Sequence, residues 1–195
     1  MNNLLKIGIV AGVLFFFSII CWGMYTSLVD KQEDARLAWA QVENVLQRRH
    51  DLLPNYERVV KAYAKHEQLY IAVAEARTAM EKATVKFDAK DLDNPEKFKK
   101  FQEAQSNYQS ALSRLMVVVE QYPDLKADKI FMKFLDEIAG SENRISVERM
   151  RYNKAATIYN KTIRKYLIFK DIFGFNRMSL FEASEEAKRP PVINL

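Results

Sequence analysis

The sequence predicts an all-α protein: an N-terminal transmembrane helix followed by an antiparallel up-and-down bundle of three to four long helices. Three observations lead there. An uncharged, strongly apolar run lies between Lys6 and Asp30. Beyond it, apolar residues recur in steps of three and four, which keeps one stripe of a helix facing its neighbours. Gly and Pro, 5 of each in 195 residues, are too scarce for the turns that a many-stranded fold consumes. A 49% hydrophobic and 28% charged composition excludes wholesale disorder.

The apolar run from Ile7 to Met24 covers a ~30 Å hydrocarbon core at about 1.5 Å per residue. It exceeds the roughly 7–15 residues of a secretory signal core. Ser27-Leu-Val-Asp offers no small-residue cleavage site, and Cys21 follows Ile19 and Ile20 where a lipidated cysteine needs a small residue before it. A retained span is therefore expected, with Trp22 and Tyr25 at the interface nearer the domain. Lys6 precedes the span and Lys31 and Arg36 follow it, so one charge of difference assigns the domain to the cytoplasm. Cys21 is the one cysteine, which excludes an intrachain disulfide. The expected organisation is an anchor over 1–27, with the helix itself at about 7–25, a bundle over 28–182 and an extended tail over 183–195.

A first long helix is expected from Leu28 to Ala83, about 80 Å at 1.5 Å per residue, with the seam Ala35, Trp39, Val42, Leu46, Arg49, Leu53, Tyr56, Val60 and Tyr63. Arg49 alone breaks its apolar character. Pro54 removes one backbone donor, so a kink or restart around His50 to Pro54 follows, with Asp51 as a local cap. Asn94 and Pro95 have the chemistry of an N-cap and first helical position. They open a second helix whose seam runs Phe98, Phe101, Gln105, Tyr108, Leu112, Leu115 and Val119, and Tyr122-Pro123 ends it. A third helix from near Leu125 carries Phe131, Phe134, Leu135, Ile138, Ile145, Tyr152, Tyr159, Ile163 and Tyr166. At Gly140-Ser141-Glu142 either Ser141 caps a second half or the glycine lets two helices approach closely.

Net charge is +5, yet acids and bases alternate along the helices, as in Lys31, Glu33, Asp34 and Arg36. This is an ion-paired solvated face, and no nucleic-acid partner is expected. Catalytic chemistry finds few residues. His50 and His66 are the only histidines, and in a straight helix their 16-residue separation corresponds to about 24 Å. Glu43, Glu57, Glu67 and Glu75 lack the Glu-x-x-His pairing of a di-metal bundle. No phosphate loop, dinucleotide fingerprint or nucleophile elbow is present, so no enzyme activity and no cofactor are expected.

Two groups stand out as candidate partner-docking residues. Arg48, Arg49, His50, Asp51 and Asn55 cluster about Pro54. They either order the kink, with Arg49 pairing to a carboxylate across the bundle, or dock a protein. Phe169, Phe173, Phe175 and Phe181 lie in an aromatic stretch that either caps the open end of the bundle or presents a patch. Asn153 and Asn160, seven apart, share a helix face and are either register-setting or simply exposed.

The stretches Ala38-Trp-Ala-Gln-Val-Glu-Asn-Val-Leu-Gln-Arg-Arg-His-Asp-Leu-Leu-Pro-Asn, Tyr63-Ala-Lys-His-Glu, Ala74-Glu-Ala-Arg, Gln121-Tyr-Pro-Asp-Leu-Lys-Ala, Gly140-Ser-Glu-Asn-Arg-Ile, Tyr152-Asn and Tyr159-Asn together resemble the LemA family. Ser141 departs from the threonine of the family pattern, and Lys165-Tyr-Leu-Ile from its proline-containing exit. The resemblance implies a bacterial inner-membrane protein with an antiparallel bundle and no established catalytic activity. It also implies relatives that carry a lipobox, with the domain outside the cytoplasm, and relatives that accompany membrane proteases. The side of the membrane is left open by these opposing signs. The expected function is a membrane-tethered, non-enzymatic scaffold, homo-oligomeric or accessory to an integral membrane partner; the alternative is a lipid-headgroup or extracytoplasmic ligand-binding module.

Overall fold

The computed structural model describes residues 2–63, 66–83, 87–124, 128–166 and 172–182. Among the described residues the main elements are α1 Asn2–His50, α2 Leu53–Ala62, α3 Glu67–Ala83, the 3-10 turn Ala89–Asp91, α4 Pro95–Glu120 and α5 Lys129–Lys165. No strand occurs among the described residues.

α1 is two helices in one. Leu5 to Ile20 expose their apolar side chains all round, so this half is long and apolar enough to cross a membrane. Its hydroxyls turn back onto the helix, Ser18 donating to the Leu14 carbonyl at 2.9 Å and Thr26 to the Trp22 carbonyl at 3.1 Å. For Ser18, inside the apolar run, that satisfies the hydroxyl where no water would. The second half buries Leu28, Ala35, Trp39 and Val42 completely. No break separates the halves.

α1 ends where expected, but Asp51 does not cap its successor. Asp51 accepts from the Gln47 amide at 3.1 Å, and Leu52 occupies the cap position of α2 without a side-chain bond. Pro54 cannot donate to the preceding turn, which is why the ladder stops. The kink is small in effect, because α1 and α2 both follow the unbroken α5: Gln32 meets Tyr159, Arg49 meets Glu142 and Tyr56 packs on Phe134.

The expectation of a helix running on to Ala83 is corrected by the end of α2 at Ala62, after which α3 returns beside α2 and α4 runs back along α3. The physical sign is a phase shift: the stripe that buries Tyr56 and Val59 would next predict Tyr70, which is exposed, whereas Leu69, Ala72, Val73, Ala76 and Met80 are buried. Asn94 caps α4 by accepting from the Lys97 amide at 3.1 Å. Asp128 caps α5 by accepting from the Ile130 and Phe131 amides. α5 passes Gly140 without interruption, and Ser141 bonds back to the Ile138 carbonyl at 2.8 Å instead of capping a new helix. A Cβ on Gly140 would meet only the Arg144 guanidinium at 3.7 Å, so no neighbouring helix approaches there.

Four rods thus make the bundle: α1 with α2, α3, α4 and α5. α3 is shorter than its neighbours. Beside the anchor its place is filled by the 87–94 connection and by the extended chain after α5, whose Ser179 amide donates to the Leu92 carbonyl at 2.7 Å. Two cores result. The one far from the anchor gathers Tyr56, Leu69, Met80, Leu115, Phe131 and Ile138. The one near it centres on Trp39, ringed by Phe87, Phe98, Phe101, Tyr152 and Phe181 at centroid distances of 5.2 to 6.3 Å.

Candidate functional site

Between the two cores lies a layer of polar side chains. The Arg49 guanidinium, 2% exposed, enters from the last turn of α1, donating to the Gln105 carbonyl oxygen at 2.7 Å and to Glu142 at 3.3 Å. It also lies 4.6 Å above the Tyr108 ring. Gln105 in turn donates to the Ala83 carbonyl at 2.6 Å, so the end of α3 is tied into the same layer. Arg149, two turns along α5 from Glu142, reaches Gln105 at 3.3 Å and stacks on Phe181 at 4.8 Å. The Tyr56 and Tyr108 hydroxyls bond to each other at 3.0 Å beneath it.

These surroundings set the protonation states. Burial, then the nearby Arg49 charge, brings Arg149 down to about 10, partly offset by Glu142. It stays charged at neutral pH. Burial also raises Tyr108 to about 12 and Tyr56 higher still, so both stay neutral. Two guanidiniums share one close carboxylate, and Arg149 Nε and Glu148 Oε2 are buried without a partner in the chain. Such groups cost about 1–3 kcal/mol each. What the layer gains is register. Sliding one rod by a ~5.4 Å turn would leave buried charges against apolar side chains. Among the described residues, no group of three or more His, Cys, Asp or Glu is arranged to hold a metal ion.

The structure divides the first docking group. Arg49 points inward, Arg48 and Asp51 are exposed, and His50 is half-buried. Asn55 donates to Glu137 at 3.2 Å and accepts from Arg58 at 2.6 Å. The aromatic group divides too. Phe175 is buried and Phe181 half-buried in the core around Trp39, Phe173 is exposed, and Phe169 lies outside the described residues.

Asn153 and Asn160 hold that aromatic segment. Each amide makes a pair of bonds to one residue of extended backbone: Asn160 to the Met178 carbonyl at 2.8 Å and from its N–H at 2.9 Å, Asn153 likewise to Phe181 at 2.9 Å each. The spacing matches, since seven helical residues rise about 10.5 Å and three extended residues about 10 Å. Tyr152 adds a bond to the Ser179 carbonyl between them at 2.7 Å. The tail is therefore read residue by residue by the α5 face.

The family model described as the LemA family matches residues 38–195. The chain belongs to the LemA family. The LemA match begins beside Trp39 and takes in the whole polar layer, the Tyr-Asn pairs and the tail that they hold. Several magnetosome proteins align over nearly all of the chain. Magnetosome protein MamQ 2 of Paramagnetospirillum magneticum is 27% identical over 97% of this chain and 75% of its own length. Magnetosome protein MamQ of Magnetospirillum gryphiswaldense is 25% identical, with coverages of 96% and 74%. Protein LemA of Metamycoplasma hominis is 34% identical over 86 residues, 43% of this chain and 39% of that protein. With α1 as its span, this LemA protein is membrane-anchored.

Sequence reasoning missed Glu142 and Arg149 as members of the layer. Both belong to an acid-and-base-rich stretch of α5 that reads as a solvated face. Their one sign was spacing, seven residues apart and so on a common face.

Proposed function

We propose that this LemA family protein is a membrane-tethered, non-enzymatic scaffold that assembles with further copies of itself or with an integral membrane partner such as a membrane protease. The observation that carries the reading is the continuity of α1. The helix that exposes Leu5 to Ile20 is the same one that buries Trp39 and delivers Arg49 to the polar layer. An unbroken helix transmits orientation, so the bundle stands on its anchor as a rod reaching about 55 Å from Tyr25 to Ala62. Arg49, Gln105, Glu142 and Arg149 bind chiefly one another across the bundle, which suits a register-setting layer. Relatives named as magnetosome proteins support a component's role by name, without naming a reaction.

Arg48 and Asp51, exposed halfway up the rod, are the docking candidates. Photo-crosslinking amino acids at these two positions, read by mass spectrometry from intact cells, test the proposal. The expected products join two copies, or one copy and an integral membrane protein. A chain that crosslinks to nothing and runs as a monomer in mild detergent contradicts it.

A second reading rests on the groove of about 480 Å³ between α2 and α5, where Arg58, Lys129 and Lys133, outnumbering Glu137, surround Val59, Ile130 and Phe134. Its charge suits an anionic ligand with an apolar part. It stands about 50 Å along the rod from Tyr25, so the headgroups of the anchoring bilayer do not reach it. Flotation of nanodisc-embedded protein with added anionic vesicles, lost in Lys133→Glu, would favour this reading.

A further inference from the structure

The bundle end nearest the anchor carries an apolar tip turned toward solvent. α5 ends at Lys165, and the chain returns at Ile172 and Phe173 before Gly174. Gly174 adopts φ 70°, a left-handed conformation that side-chain-bearing residues rarely take. This turn leaves Ile172 67% and Phe173 52% exposed while Phe175 is buried at 6%. The tip does not stand alone. The Phe173 ring lies 5.1 Å from Tyr25, and Tyr25 lies 6.4 Å from Trp22, which is 70% exposed at the end of the apolar run. The apolar surface of the span therefore continues across Tyr25 onto Phe173 and Ile172.

Charge follows the same level. Gln32 meets Tyr159 across the antiparallel α1–α5 pair, so the exposed Arg164 and Lys165 in the last turn of α5 stand beside residues 26–27. Aromatic rings mixed with basic side chains are the composition of a membrane–water interface. A single span leaves rotation about its own axis weakly set, and interfacial anchors are what fix it.

We infer that Ile172 and Phe173 insert into the interfacial zone of the bilayer that α1 spans, as a second membrane contact that holds the bundle at one tilt and rotation. The occupant of this apolar tip is lipid, because the tip is continuous with the lipid-facing surface of α1 at Trp22 and Tyr25. The inference rests on α1 being a membrane span and adds to it a contact from the chain that follows α5.

The test uses the full chain in phosphatidylcholine–phosphatidylglycerol vesicles that contain lipids spin-labelled at a shallow or a deep position. In a Cys21→Ser background, an environment-sensitive fluorophore is attached at Ile172→Cys, and in separate samples at Phe16→Cys and Val117→Cys. Circular dichroism checks each fold. The label at 172 is expected to lose intensity to the shallow quencher more than to the deep one and to be shielded from aqueous iodide. The label at 16 should lose more to the deep quencher, and that at 117, exposed on α4, should respond to iodide alone. Quenching at 16 with none at 172 overturns the inference while leaving the span intact. Shielding of 172 from both lipid quenchers and iodide assigns the tip to a protein partner and also overturns it. Absence of lipid quenching at 16 removes the span and the inference together.

Discussion

The two asparagine pairs give a prediction whose size follows from the hydrogen bonds. Replacing Asn160 by alanine removes one bond to the Met178 carbonyl and one from its N–H. At about 1 kcal/mol net for each bond, docking of the tail weakens by about 2 kcal/mol, and by about 4 kcal/mol in Asn153→Ala/Asn160→Ala if the two sites are additive. Since ~1.4 kcal/mol is tenfold, local opening of residues 175–182 should rise about thirtyfold in the single variant and roughly a thousandfold in the double. Hydrogen exchange read by mass spectrometry on peptides covering that segment measures this directly. Peptides from α3 and from the far half of α4 serve as internal references and should not change. Asn160→Asp should do no better than alanine, because it keeps the acceptor for the Met178 N–H but sets a carboxylate oxygen against the carbonyl. Unchanged protection of 175–182 in the double variant would refute the view that these amides hold the tail.

Three further outcomes follow. Glycine-to-alanine exchange should have opposite signs at two positions: Gly174→Ala lowers stability by about 1 kcal/mol because of its positive φ, whereas Gly140→Ala, mid-helix with room for a Cβ, raises it by about 0.5–1 kcal/mol in denaturant titration. Arg49→Met should destabilise by about 3 kcal/mol, because Glu142 loses its ion-pair partner and Gln105 the closer of its two donors in the polar layer, and adding Glu142→Leu should recover part of the loss. Alkali should unfold the bundle: Tyr108, Tyr63 and Tyr159 are raised from 10.0 to about 12, chiefly by burial, so the stability they contribute is complete below pH 10.0 and lost as pH climbs through about 12. Tyrosinate absorbance should therefore rise together with loss of helical dichroism in that window, whereas ionisation of all tyrosines near pH 10 with the helix intact would contradict the burial described.

Much of the architecture is legible in the residues because helices announce themselves by period. The uncharged run before Asp30, the seam from Ala35 through Trp39 to Arg49, the seam through Tyr152, and the Asn94-Pro95 start all appear in the structure at their expected places. Arg49 and Gln105 were each the one polar member of an apolar seam, and they meet at 2.7 Å because both seams face the same interior. The return of α3 beside α2 was harder to read: no proline or glycine lies between the two helices, and only the shift from Tyr70 to Leu69 betrays it. The path of residues 175–182 was legible only as one of two alternatives, Phe175 and Phe181 closing the bundle end or forming a patch, and the extended tail expected over 183–195 lies outside the described residues. An extended segment has no helical period, and the match of Asn153 and Asn160 to residues three apart in the tail exists only once the two are set side by side.

The central claim is that the bundle is rigidly continuous with its anchor. Pulsed electron–electron resonance between spin labels at Phe16→Cys and Leu37→Cys, in a Cys21→Ser background and in nanodiscs, tests it most directly, because both positions are exposed on α1. Twenty-one residues of unbroken helix predict one narrow distance near 32 Å. A broad or bimodal distribution would mean that the chain bends between membrane and bundle, and the scaffold would lose its fixed orientation.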